Sequence, residues 1–177
     1  MCYNNKRDMD NEIIERAKMG DREAQKQIYI AYKDKIYTFC IFHNCNFDDA
    51  EDLTQDIFLK IFRGIKRFKR GNFNGWVYKI AINHIFNSIK RRKNFLKLRE
   101  ENFAVKDRNV EESIEIEKVL RKMPERLSLL LILKEKEGLN YKELSKVFGV
   151  PIGTISSRLA KARILFRKYY GGKNVQR

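Results

Sequence analysis

Residues 139–163, LNYKELSKVFGVPIGTISSRLAKAR, read as two short helices joined by a tight turn. Asn140 can cap the first helix, and Glu143 three residues later completes a capping-box pair. Leu144, Val147 and Phe148 give that helix its buried side. Gly149 stands where a left-handed residue ends a helix, and Pro151 can open the second at no hydrogen-bond cost. Ile155, Leu159, Ala162 and Phe166 recur at three- and four-residue spacing and would pin the second helix to its neighbours. Thr154, Ser156, Ser157, Arg158 and Lys161 lie elsewhere on the wheel, mostly outward. An ordinary helical hairpin would share the periodicity. The order of cap, glycine turn, proline start and basic outer face is that of a helix-turn-helix built to enter a DNA groove.

The rest of the composition agrees with that reading. The 177 residues include 38 Lys and Arg against 23 Asp and Glu, a net charge of +15, which favours a polyanionic partner. Two prolines, nine glycines and abundant Lys, Glu, Leu and Ile predict an all-α chain. The N-terminal residues are polar, and no apolar run approaches the length of a membrane span, so a cytoplasmic location is expected. Cys40, His43 and Cys45 offer at most three irregularly spaced metal ligands and read better as reduced thiols beside a histidine. With two histidines, no glycine-rich phosphate loop and no nucleophile–base pair, neither an enzyme nor a cofactor is expected.

Upstream, helices are predicted from Asp10 or Asn11 to Met19, from Arg22 to Phe42, from Asp48 or Asp49 to Ile65, and from Phe73 to Arg92. In the third, Ala50, Leu53, Ile57 and Ile61 form the core side. Asp52, Gln55, Asp56 and Leu59 gather on another face, where a leucine stands among polar and acidic groups. Such a face is either solvated or a protein-docking surface with an apolar anchor. The connector after that helix contributes Lys66, Arg67, Phe68, Lys69, Arg70 and Phe73. Its aromatics could stack on single-stranded bases or could anchor the loop to the bundle. The fourth helix is apolar over most of its circumference, with Trp76 placed beside Ile80 on the buried side. It leaves a narrow polar strip of Lys79, Asn83, Asn87 and Lys90, groups able to bond base edges or phosphates.

Two bundles are thus expected, over 9–93 and 111–170, joined by a flexible linker over 94–110, with the helix-turn-helix in the second. Within the second bundle, a helix from Glu111 to Lys122 precedes one opened by Pro124 that runs to Lys136. Residues 61–100 carry a net +11 and residues 141–177 a net +8, leaving −4 for the remainder. Two basic segments in two domains suggest two points of contact with one nucleic acid.

Three stretches carry a resemblance: DDAEDLTQDIFLKIF at 48–62, FNGWVYKIAINHIFNSIKRRK at 73–93, and MPERLSLLLILKEKEGLNYKELSKVFGVPIGTISSRLAKAR at 123–163. In this order and spacing they resemble the small extracytoplasmic-function (ECF) group of bacterial sigma-70 factors. The resemblance implies that the first bundle is region 2 and the second region 4. It implies that Asp52, Gln55, Asp56 and Leu59 dock on the β′ clamp helices of core RNA polymerase. The loop from Lys66 to Asn74, with Lys79, Asn83, Asn87 and Lys90, would take the −10 promoter element. The helix opened by Pro124 would meet the β flap. Thr154, Ser156, Ser157, Arg158 and Lys161 would meet the −35 element. An anti-sigma factor is a further implied partner. Two departures stand out: Asn87 where many members carry Asp, and small residues at Ser156 and Ala160, which shift −35 reading toward phosphates and DNA shape.

Overall fold

The computed structural model describes residues 9–42, 47–98 and 115–171. Among them the regular structure is entirely helical: α1 Asn11–Lys18, α2 Arg22–Phe42, α3 Phe47–Gly64, α4 Phe73–Leu98, α5 Glu115–Lys122, α6 Glu125–Glu135, α7 Tyr141–Phe148 and α8 Ile152–Gly171, with a 3-10 turn over Ile65–Arg67. Asp10 caps α1 through Glu12 N–H at 2.9 Å, and Gly20 closes that helix at φ +90°.

The helices α1 to α4 wrap a core of Ile28, Ile36, Phe39, Ile57, Ile61, Val77 and Ile85, all essentially without exposure. Cys40 is fully buried there and accepts the Thr54 hydroxyl at 3.7 Å. His43 and Cys45, the other members of the imagined metal cluster, lie outside the described residues. Gly64 is tight for a packing reason, because a Cβ there would meet Cζ2 of Trp76 at 3.4 Å.

The second bundle, α5 to α8, forms around Leu129, Leu133, Leu144, Ile155 and Leu159. Every residue from Leu127 to Leu133 in α6 is buried, Ser128 included, and the Ser128 hydroxyl donates to Glu125 O at 3.1 Å. The turn between α7 and α8 follows its sequence signals closely. Asn140 and Glu143 make the full reciprocal capping box, at 2.9 and 2.7 Å, and Gly149 adopts φ +66°.

Two of the expected boundaries are corrected. Helix α4 runs to Leu98, into the stretch assigned to the linker, because KRRKNFLK holds no breaker and is rich in good helix formers. The rest of that linker, and residues 111–114 of the helix predicted from Glu111, lie outside the described residues. Pro124 is the N-cap of α6 rather than its first residue, with ψ 131°.

The two bundles touch. Helix α4 packs on α7, and α2 meets α5. Glu137, in the turn after α6, carries the central polar contacts. Its carboxylate accepts the Tyr78 hydroxyl of α4 at 2.6 Å and pairs with Lys35 of α2 at 3.1 Å. The Asn72 side-chain amide, just before α4, donates to Glu143. The Arg126 guanidinium lies over the Phe86 ring, 4.2 Å from its centroid.

Candidate nucleic-acid and protein interfaces

Four surfaces result from this packing. On α3 the burial of Leu53, Ile57 and Ile61 turns Asp52, Gln55, Asp56 and Leu59 to solvent together, with Leu59 half exposed at 51%. The neighbouring Phe58 anchors this helix, since its ring packs on Phe62 and on Tyr29 of α2. An apolar knob among acids on a stiff helix can seat in a basic, apolar groove of another protein.

Asp56 has a neighbour that sequence reasoning did not single out. His84 of α4 is 6% exposed, and its Nε2 is 3.6 Å from Asp56 Oδ2, too long for a hydrogen bond. Burial, then the Lys60 charge, lowers the His84 pKa from its ordinary value against the opposing pull of Asp56. A depressed folded pKa means the unfolded chain binds the proton more readily. The neutral ring therefore contributes stability that is present above about pH 6.5 and lost as pH falls through the folded pKa. The melting temperature should drop between pH 7.5 and 5.5, and His84→Gln should drop less over the same interval. Parallel pH profiles for the two proteins would sink this reading.

The basic connector places Lys66, Arg67, Lys69 and Arg70 outward. Its aromatics resolve differently from each other. Phe73 is completely buried, edge-on to Tyr32, so it anchors the start of α4 and cannot stack on a base. Phe68 is half-buried, with its ring 5.1 Å from Phe73 and 5.3 Å from Trp76, and Lys18 lies over it. Trp76, placed on the buried side by its wheel position, is only half-buried and stacks on Phe73 at 5.5 Å. The two accessible rings of this cluster are therefore Phe68 and Trp76, not Phe73. Beside them Lys79, Asn83, Asn87 and Lys90 are all exposed along α4, a continuous polar line.

On α8, Ser156, Ser157 and Lys161 are exposed while Thr154 and Arg158 are half-buried. Ile155, Leu159 and Ala162 hold the opposite side in the core. Gly153, Ser156, Ser157 and Ala160 leave the outer face of the helix small and open, so backbone and phosphates can come close. Arg163 does not join this face; its guanidinium grips Glu135 of α6 through two nitrogens, at 2.8 and 3.2 Å. One feature of the packing was missed altogether, the seam between the two bundles. No sequence signal marked Lys35, Asn72, Tyr78, Glu137 and Glu143 as partners across the seam.

Comparison with known proteins gives a consistent picture. The family model described as Sigma-70 region 2 matches residues 28–95, and Sigma-70, region 4 matches residues 113–165. The chain is 28% identical over 164 residues to the ECF RNA polymerase sigma factor SigE of Mycolicibacterium smegmatis, covering 85% of this chain and 64% of that protein's length. It is 26% identical to the ECF RNA polymerase sigma factor SigW of Bacillus subtilis, covering 88% and 93%. It is 27% identical to the ECF RNA polymerase sigma-E factor of Escherichia coli K12, covering 87% and 90%. Among solved structures, the fold matches CnrH in complex with the cytosolic domain of CnrY at TM-score 0.68 and 18% identity, covering 91% and 96%. It also matches the sigma factor RpoE in complex with the anti-sigma factor NepR from Bartonella quintana at TM-score 0.68 and 24% identity, covering 86% and 98%.

Proposed function

The chain belongs to the ECF group of the sigma-70 family, and we infer that it binds core RNA polymerase and directs it to a specific set of promoters. It is a dissociable specificity subunit with no catalysis of its own. The observation that carries this reading is the pairing, within one bundle, of an acid-ringed apolar knob on α3 with a basic, aromatic strip on α4. A stand-alone DNA-binding regulator would need the helix-turn-helix but neither of these.

In this reading the bundle over 9–93 is region 2. Asp52, Gln55, Asp56 and Leu59 dock on the β′ clamp helices. Lys66, Arg67, Phe68, Lys69 and Arg70, with Lys79, Asn83, Asn87 and Lys90, hold the −10 element and its unpaired strand, and Trp76 joins Phe68 as a stacking ring. The bundle over 111–170 is region 4. Its α6 meets the β flap, while Thr154, Ser156, Ser157, Arg158 and Lys161 contact the −35 element. The linker that joins the two begins after the end of α4 at Leu98. An anti-sigma factor is the proposed control, as in the Bartonella complex. No helix among the described residues is long and apolar enough to cross a membrane. Work on polymerase and DNA then puts the protein in the cytoplasm.

Reconstitution tests the proposal. Purified protein added to core polymerase should yield a holoenzyme that initiates at discrete sites in a genomic DNA library, read by sequencing the bound fragments and the transcript starts. Tight binding to duplex DNA alone, with no association with core, would overturn it.

A further inference from the structure

His84 stands out in the first bundle. The flanking α4 residues Ala81, Ile82 and Ile85 are apolar and closed to solvent, yet a polar ring is packed among them. Its Nε2 is buried and finds no hydrogen-bond partner among the described residues. A buried N–H left unpaired costs stability, and a leucine there would avoid that cost. Departures of this kind gather where function sets the residue. The ring's neighbour on α3 is specific: Nε2 lies 3.6 Å from Oδ2 of Asp56, a carboxylate that is 64% exposed on the proposed docking face. The pair has one member in the core and one in the interface.

We propose that His84 is a positioning residue for core-polymerase binding, its Nε2–H holding the Asp56 carboxylate from beneath α3 in the orientation that meets a cationic side chain of the β′ clamp. The inference rests on the core-binding reading of the α3 face given above. In the free chain water competes for the carboxylate, and the contact stays longer than a hydrogen bond. Docking removes that water, lowers the local dielectric and leaves the N–H and the carboxylate as each other's partner. The approach still needed is about 0.4 Å. One carboxylate oxygen is then fixed by His84 and the other is free for the partner, so Asp56 has less side-chain entropy to lose on binding. The surrounding charges favour this donor role. Burial, then Lys60 on α3, and more weakly Arg91 on α4, oppose a proton on the ring, while Asp56 favours one, and the balance lies below the ordinary histidine pKa. A neutral ring donates its hydrogen bond without cancelling the Asp56 charge. Protonation at lower pH would add a positive charge beneath the acidic face and weaken its pull on a cation.

Titration of the full chain against core polymerase tests the role. His84→Leu fills the site without a donor. It should hold or raise the melting temperature and yet weaken core binding about fivefold at pH 7.5. His84→Gln sets an amide N–H near the Nε2 position and should restore wild-type affinity. Asp56→Ala should weaken binding about tenfold, and adding His84→Leu to it should cost nothing more, because the histidine acts through that carboxylate. Between pH 7.5 and 5.5, wherever both proteins stay folded, the wild-type Kd should rise relative to that of His84→Gln. The ratio removes whatever core polymerase itself titrates. The proposal is overturned if folded His84→Leu binds core as tightly as wild type, or if its loss adds in full to that of Asp56→Ala. If His84→Leu loses helicity, the pH comparison decides, and parallel profiles overturn the proposal. A loss with Asp56→Ala but none with His84→Leu sinks this inference alone and leaves the core-binding reading standing. An unaltered affinity in Asp56→Ala removes both.

Discussion

Asp56→Ala combined with Leu59→Ser should weaken association with core polymerase by roughly 100-fold, about 3 kcal/mol, while both bundles stay folded. The separation of the two effects follows from exposure. The Asp56 side chain is 64% exposed and Leu59 51%, so their truncation opens no cavity and the melting temperature should hold within a degree or two. Affinity depends on what these groups meet in the partner. Leu59 projects from a helix anchored by Phe58 and Phe62, so it arrives at an interface with little ordering left to do. Pull-down or fluorescence titration against core polymerase measures the loss, and Glu51→Ala, one residue away from the face, is the control. An unaltered Kd for the double variant would remove α3 from the interface.

Leu159→Ala has the largest expected effect on stability. Leu159 has no exposure and sits where α8 meets the rest of the second bundle. Deleting its buried branched end should cost about 3 kcal/mol or more. A domain as small as residues 115–171 has net stability of only a few kcal/mol, so most of it should unfold at physiological temperature. Calorimetry should show an early transition for region 4, with binding to −35 duplex lost and binding to core through Asp56 retained. Ser157→Ala, exposed on the same helix, should melt as wild type. A single wild-type transition in Leu159→Ala would contradict the placement of this leucine at the centre of the bundle.

The helix-turn-helix was legible because its signals are local. Asn140, Glu143, Gly149, Leu144, Val147, Ile155 and Leu159 each act within a few residues of themselves, and each takes the conformation or burial that its type dictates. The exposed faces of α3 and α4 were legible for a related reason: periodicity reports which side of a helix is left over. Reading failed where the determinant was tertiary. Trp76 is half-buried and rests its ring against Gly64 of another helix, a contact that no wheel of α4 records. Phe73 is buried by Tyr32, 41 positions away in sequence, and the Tyr78–Glu137 contact joins residues 59 apart. Charged residues such as Lys35 and Glu137 carry no pattern that distinguishes a seam from a solvated surface.

The aromatic cluster at the start of α4 has an optical consequence. Trp76 is the single tryptophan among the 177 residues, and it shares its surroundings with Phe68 and Phe73. Excitation selective for indole therefore interrogates one location, the connector proposed to grasp the separating strand. A base that intercalates beside Phe68 would quench that emission without any attached dye. The chain thus carries an intrinsic clock for strand capture, and stopped-flow mixing of the isolated chain with single-stranded DNA can time that event in the absence of any other protein.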